Sequence, residues 1–299
     1  MNNIILSDKV KNALKNQIPI LALESSILSQ GMPYPNSLEF AKKAEVFCLK
    51  AGVVPATIAI LKGVIHVGLN ESQLKEICKK DTVKKISLRE LGLAVSKKWD
   101  GSTTVSSTLQ IAYKCGIKVF ATGGIGGVHK SPPDYFDISQ DILALSNKPI
   151  IVITAGPKAI LDIEKTVEAL ETSSVTILGY KTKEVPSFYS RNSGFFNLQQ
   201  VSSAKEVSEV YNNNVGLGLS SSTLVCNPIP KEHEIPINEI KEIIDLACST
   251  AKKEKVSGKE LTPFLLKEIV KRTKGKSLKA NIELALNNIS LGVDILRHL

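Results

Sequence analysis

The 299-residue chain has no CxxC pair; its five cysteines, Cys48, Cys78, Cys115, Cys226 and Cys248, are scattered singly. That spacing offers neither a disulfide framework nor a zinc cluster, and it points to a reducing, cytoplasmic address. No apolar run approaches bilayer length, and the start, MNNIILSDKVKNALKNQIPI, has no apolar core of signal-peptide type. Both absences argue against a membrane role. Aromatic residues make up only 5% of the chain, so its lysines share no aromatic platform. HExxH and GxSxG are missing, and the one glycine-rich loop is not GxGxxG and is not followed by GK[ST]. Zinc proteases, serine hydrolases, P-loop NTPases and dinucleotide folds therefore gain no support.

What remains is ordinary globular material, 43% hydrophobic and 22% charged, with ample length for a core. The formal charge of +9 is spread over separate clusters such as VSKKWD, STAKKEKVSGKE and KRTKGKSLK. Dispersed lysines read as solvated helix faces rather than a nucleic-acid interface. A basic nucleic-acid-binding protein is the non-enzymatic alternative, and it predicts steeply salt-dependent binding.

Apolar runs alternate with amphipathic ones. Strands are expected at 18–25, 56–63, 64–68, 117–123, 149–156, 175–180 and 215–220. Helices are expected at 36–51, 71–80, 103–115, 138–146, 158–171, 204–212, 236–255, 262–273 and 277–296. Several strands are short and continuously apolar, as in a sheet covered on both sides. The expected fold is α/β, a central mixed sheet flanked by helices on both faces, with a mostly helical final third packed on the same domain. No linker or internal repeat divides the chain, so residues 1–299 read as one domain.

In open α/β sheets, ligands gather where strands hand over to helices. At such points Glu24 follows the ILAL run, the loop TGGIGG follows FA, and Lys158 ends TAGPK. With Pro157 at a first helical position, Lys158 would stand at a helix N-terminus, where the dipole disfavours a cation and favours the neutral amine. A neutral amine adds to carbonyl-like carbon, whereas a lysine that snorkels to solvent does nothing of the kind. Glu24 suits general acid–base work or a local cap. The glycine loop offers amides to an anion or merely packs tightly. Asp137, in FDISQD, is either a helix cap or an oxygen ligand for a hard divalent cation. Lys85 precedes a short expected strand. Ser102, Thr103 and Thr104 sit at an expected helix start, an arrangement that suits phosphate. Of the histidines, only His129 falls near these segments.

In order, the stretches ALESSILSQGMPYP, GVVPATIAILKGVIHVGL, GSTTVSSTL, VFATGGIGGVH, FDISQDILAL, TAGPKAILD, NPIP and SLKANIELALNN resemble the pseudouridine-5′-phosphate glycosidase family, also called indigoidine synthase A-like. The resemblance runs from about residue 18 to the C-terminus. It implies cleavage of the C–C glycosidic bond of pseudouridine 5′-phosphate to uracil and ribose 5-phosphate, with a divalent metal, typically Mn2+. By position, Glu24 matches the proton donor and Lys158 the nucleophile that forms an imine with ring-opened ribose. Lys85, Thr103, Thr104, Val105, Ser139, Gln140, Asp141 and Asn281 fall in substrate-binding positions, and Asp137 matches the metal ligand. The resemblance also implies a homotrimer. Taken alone, the lysine and phosphate features equally allow a Schiff-base lyase or aldolase acting on another sugar phosphate.

Overall fold

Period-two alternation in the apolar runs decides the architecture. Along Ile20–Leu23, Leu21 and Leu23 enter one buried cluster while Ile20 and Ala22 enter another. Val119–Ala121 and Ile151–Thr154 divide likewise, with Phe120 and Val152 on one face and Val119, Ala121, Ile151 and Ile153 on the other. A strand with apolar side chains on both faces needs a layer of helices above and below. The computed structural model describes residues 3–79, 81–130, 137–256 and 258–299 and shows that layering.

Its main sheet has 11 strands. The strands Val54–Leu61, Ile20–Leu23, Val119–Ala121, Ile151–Thr154, Thr223–Cys226, Thr176–Tyr180 and Gln199–Val201 are neighbours in that order, all parallel. Val64–Val67 and Gly101–Thr103 add to Val54–Leu61 antiparallel, which makes the sheet mixed. Ile4–Leu6 pairs with Val64–Val67, and Lys84–Ile86 with Gly101–Thr103. A separate two-stranded ribbon joins Val128–His129 to Leu161–Asp162.

One face is covered by helices that include Asn36–Lys50, Ala204–Gly216, Ile237–Lys253 and Lys276–Leu296; the last of these crosses the Ile20–Leu23, Val119–Ala121 and Ile151–Thr154 strands. The other is covered by Asp8–Lys15, Leu91–Ser96, Val105–Lys114 and Gln140–Leu145. The helical final third therefore packs on the sheet, as expected. Among the described residues, no helix is long and apolar enough to cross a membrane.

Three expectations are corrected. The run 215–220 is not a strand. The helix Ala204–Gly216 continues into it and stops where Gly218 takes φ +79°, leaving Val215, Leu217 and Leu219 exposed. The strand comes later, at Thr223–Cys226, whose four residues are all buried. The helix expected from Lys158 begins only at Ile163, with the Asp162 carboxylate accepting from Lys165 N–H as its cap. The helix expected at 138–146 is shorter, Gln140–Leu145, and Ser139 rather than Asp137 caps it. The helix expected at 71–80 runs Glu71–Lys79, and Lys80 lies outside the described residues.

Candidate active site

The strands Ile20–Leu23, Val119–Ala121, Ile151–Thr154 and Thr223–Cys226 are parallel, so their carboxyl ends form one rim. The residues just past them are Glu24, Thr122, the stretch Ala155–Lys158, and Asn227. Such a rim is the usual ligand site of parallel α/β sheets.

Glu24 is a buried carboxyl, 6% exposed. Behind it lies a cavity of about 380 Å³ whose walls are mostly apolar, among them Leu28, Phe40, Ala44 and Ile289. The hydroxyls of Thr122 and Ser26 donate one hydrogen bond to each carboxylate oxygen. Burial pushes the carboxyl above its ordinary range. The nearby Lys158 and the two hydroxyls oppose that rise without cancelling it, and Asp141 adds to it.

Lys158 is placed by a turn, not by a helix. Gly156 sits at φ +91°, and a Cβ there would lie 2.1 Å from the Pro186 carbonyl oxygen, so only glycine fits. The chain then zips onto the glycine loop: Ile125 N–H donates to Gly156 O at 3.2 Å, and Lys158 N–H donates to Ile125 O at 3.0 Å. The ribbon between Leu161–Asp162 and Val128–His129 continues the pairing. The helix-dipole reason for a lysine at this point therefore falls away. The backbone of Lys158 is instead held at the ridge between two adjoining clefts, both of which it lines.

The first cleft, about 440 Å³, is lined by Glu24, Gln30, Lys85, Lys158, Phe188 and Asn281 among others. Asn281 donates to Gly31 O at 3.3 Å, yet its carbonyl oxygen is buried without a hydrogen-bond partner. A buried acceptor left open in this way is suited to a ligand N–H or O–H. The second cleft, about 930 Å³, is more polar. It is walled by Lys85, Ser87, Arg89, Thr104, Ser106, His129, Asp137, Ser139, Gln140 and Asp141. Burial lowers the pKa of the His129 imidazole; Asp137 opposes this, while Lys158 and Lys85 add to it. The neutral imidazole is thereby favoured.

Several of the expected substrate residues prove to be committed inside the protein. Asp141 bridges the Ser106 amide at 2.9 Å and the Gly126 amide at 2.8 Å, so the anion in the glycine cradle is the chain's own carboxylate. Ser139 caps its helix by accepting from Asp141 N–H, and Gln140 accepts from Arg89 N–H at 2.9 Å. Thr103 is in a strand, not a helix start; its hydroxyl donates to Ile58 O at 2.7 Å and lines neither cleft. Val105 likewise points away, into the core. Lys85 lies within the strand Lys84–Ile86 rather than before it, and lines both clefts. Ser26, Arg89, Thr122 and Thr262 are not candidates on sequence grounds, although Ser26 follows the ES of Glu24 and Thr122 opens the glycine loop. Thr262, in contrast, follows from nothing but the packing of the Leu261–Arg272 helix over the clefts.

A parallel-centred α/β sheet with a lysine and a buried carboxyl converging on paired clefts at its rim defines a protein built around a small polar ligand. The chain belongs to the indigoidine synthase A like protein family, whose model it matches over residues 9–298. A pseudouridine-5′-phosphate glycosidase from Petrotoga mobilis is 47% identical over 97% of this chain and 95% of its own. One from Clostridium botulinum is 45% identical over the same shares, 97% and 95%. Among solved structures, an indigoidine synthase A-like protein from Thermotoga maritima superposes with TM-score 0.89 at 33% identity, covering 99% of this chain and 97% of that one. The prealnumycin C-glycosynthase, in complex with ribulose 5-phosphate, superposes with TM-score 0.91 at 30% identity, covering 100% and 97%.

Proposed function

We propose that the protein cleaves pseudouridine 5′-phosphate to uracil and ribose 5-phosphate, with Lys158 as nucleophile and Glu24 as proton carrier. The observation that carries this is the meeting of Lys158, the buried Glu24 and the open Asn281 carbonyl oxygen around one cleft. The names of the relatives point to the same substrate.

A C-glycoside has no heteroatom leaving group to protonate, so the paired-carboxylate scheme of ordinary glycosidases does not apply. Glu24, whose hold on its proton is strengthened by burial, gives that proton to the ribose ring oxygen as the C1′–O bond breaks. The Lys158 amine adds to C1′ and returns one proton to Glu24. That proton passes to C5 of the uracil ring. The nitrogen lone pair then forms C1′=N as the C1′–C5 bond breaks, its electron pair leaving with uracil. Water adds to the iminium and gives up a proton to the Glu24 carboxylate, restoring both the acid and the Lys158 amine and freeing ribose 5-phosphate. Asn281 accepts a hydrogen bond from a base N–H. Lys85, Arg89 and Thr104 in the polar cleft take the phosphate, with Ser139, Gln140 and Asp141 shaping its wall. Thr103 and Val105 support that wall from beneath.

Mn2+ or a similar hard cation fits this site in one mode. Among the described residues, no group of three or more His, Cys, Asp or Glu could cage an ion. Asp137 opens onto the polar cleft. A hard ion held by a single carboxylate keeps its waters and leans on substrate phosphate. Asp137 would hold it there, and the ion would supply charge neutralisation for the phosphate. The reading extends to a single-domain, homotrimeric, cytoplasmic enzyme. Light scattering on a sizing column tests the assembly.

The test of the activity is uracil release from pseudouridine 5′-phosphate, with and without added Mn2+ after chelation. Release that depends on the ion is expected. Cleavage of other sugar phosphates without any uracil release would favour the aldolase alternative.

A further inference from the structure

The NPIP turn and the paired asparagines that end SLKANIELALNN have no part in the chemistry above, yet the fold joins them directly behind Glu24. Asn288 is 0% exposed, on the inner face of the Lys276–Leu296 helix. Its side-chain amide donates to Thr122 O at 2.7 Å, and its carbonyl oxygen accepts from Asn227 Nδ2 at 3.0 Å. Asn227 N–H in turn donates to Thr154 O at 2.8 Å, and Asn287 Nδ2 donates to Pro228 O at 3.1 Å. Thr122 N–H donates to Ile153 O at 2.9 Å. Both backbone groups of Thr122 are therefore fixed, and its hydroxyl is aimed at Glu24 Oε1. Thr122 borders the apolar cavity behind the carboxylate and lines neither cleft; Ser26, the other donor to Glu24, lines both.

We infer that Asn227, Asn288 and Thr122 form a buried relay of positioning residues that sets the orientation and proton affinity of Glu24 from the side opposite the ligand. The inference rests on the reading of Glu24 as proton carrier. A fully buried chain of amides is costly unless every member is satisfied, and this one is. Its last hydroxyl favours the ionised carboxylate, against the apolar wall that favours the proton. The carboxyl is thus poised between two opposed effects, as an acid that must also take a proton back requires. The charged groups that bear on Glu24 are Lys158 and Asp141, with Lys85 farther along the first cleft wall. The helices Asn36–Lys50 and Lys276–Leu296 present only Phe40, Ala41, Ala44, Ala285 and Ile289 to the cavity behind it.

The experiment is the pH dependence of uracil release by the wild type, Thr122→Val, Thr122→Ser, Asn288→Ala and Glu24→Gln, with the melting temperature of each. Thr122→Val keeps the shape and removes the donor. Its alkaline limb is expected to move up by about one pH unit, the worth of one hydrogen bond to a charged group. Thr122→Ser restores the wild-type limb. Asn288→Ala moves the limb in the same direction by less, provided it folds; Thr122→Val carries the test if it does not. An unmoved limb in Thr122→Val beside an inactive Glu24→Gln would overturn the inference and leave the proposed function standing. A fully active Glu24→Gln would overturn the role of Glu24 itself.

Discussion

Glu24 and Lys158 both come just after a central parallel strand, yet their surroundings differ in kind. Glu24 has an apolar cavity at its back and a hydroxyl on each oxygen. Lys158 stands on a ridge open to two clefts, with its backbone tied down and, among the described residues, no hydrogen bond to its amine. A carboxyl that must carry a proton near neutrality needs desolvation, whereas an amine that must reach and release a sugar carbon needs room. The same strand-end geometry serves both because the loops beyond the strands differ. A π-helical turn at Ile27–Gly31 closes over the glutamate, and a glycine turn at Gly156 opens the lysine to the clefts.

That contrast breaks most visibly at the lysine. Lys158→Ala should lower kcat at least about 10³-fold, since loss of a covalent nucleophile is seldom compensated; steady-state uracil release measures it, and near-normal turnover would contradict it. Glu24→Gln should cost about 10²- to 10⁴-fold in kcat, the range for one general acid–base group.

The same substitution sharpens the contrast in stability. Glu24 has a raised folded pKa, so its contribution to stability is greatest below the ordinary glutamate pKa and is lost as pH rises through the folded value. Glu24→Gln should therefore melt higher than wild type at pH 7, and the gain should shrink as pH falls towards 4. A variant that melts lower at pH 7 would mean that the two hydroxyls outweigh burial.

Gly156→Ala tests the turn under Lys158. A positive φ together with a Cβ 2.1 Å from a carbonyl oxygen should cost about 1–3 kcal/mol, read by denaturant unfolding, and activity should fall with it. The smallest effect is expected at Asn281. Asn281→Leu should raise KM by about tenfold or more with only a small loss of stability, because its carbonyl oxygen has no internal partner to lose and its amide gives up one long bond, to Gly31 O at 3.3 Å.

The sequence shows the central strands plainly because a sheet buried on both faces forces continuous apolar runs, and Glu24 stands out where such a run ends in a charge. Its pattern misleads where apolar residues alternate without being buried. The run at 215–220 mimics a strand, but glycines supply its off-beats and its apolar side chains face solvent. The sequence marks Lys158 for a local reason that the fold replaces: what holds it is its backbone bond to Ile125 across the glycine loop, a contact that no window of the sequence displays. Thr103 and Asp141 carry the residue types of a binding site, yet their polar atoms are used within the protein. The Asn227–Asn288 link spans 61 residues, out of reach of any spacing rule.

The most direct test of the central claim is to incubate the protein with pseudouridine 5′-phosphate, reduce with borohydride and map the adduct by mass spectrometry. The account predicts one ribose phosphate adduct, on Lys158. An adduct on Lys85 or another lysine, or none under conditions of active turnover, would contradict it.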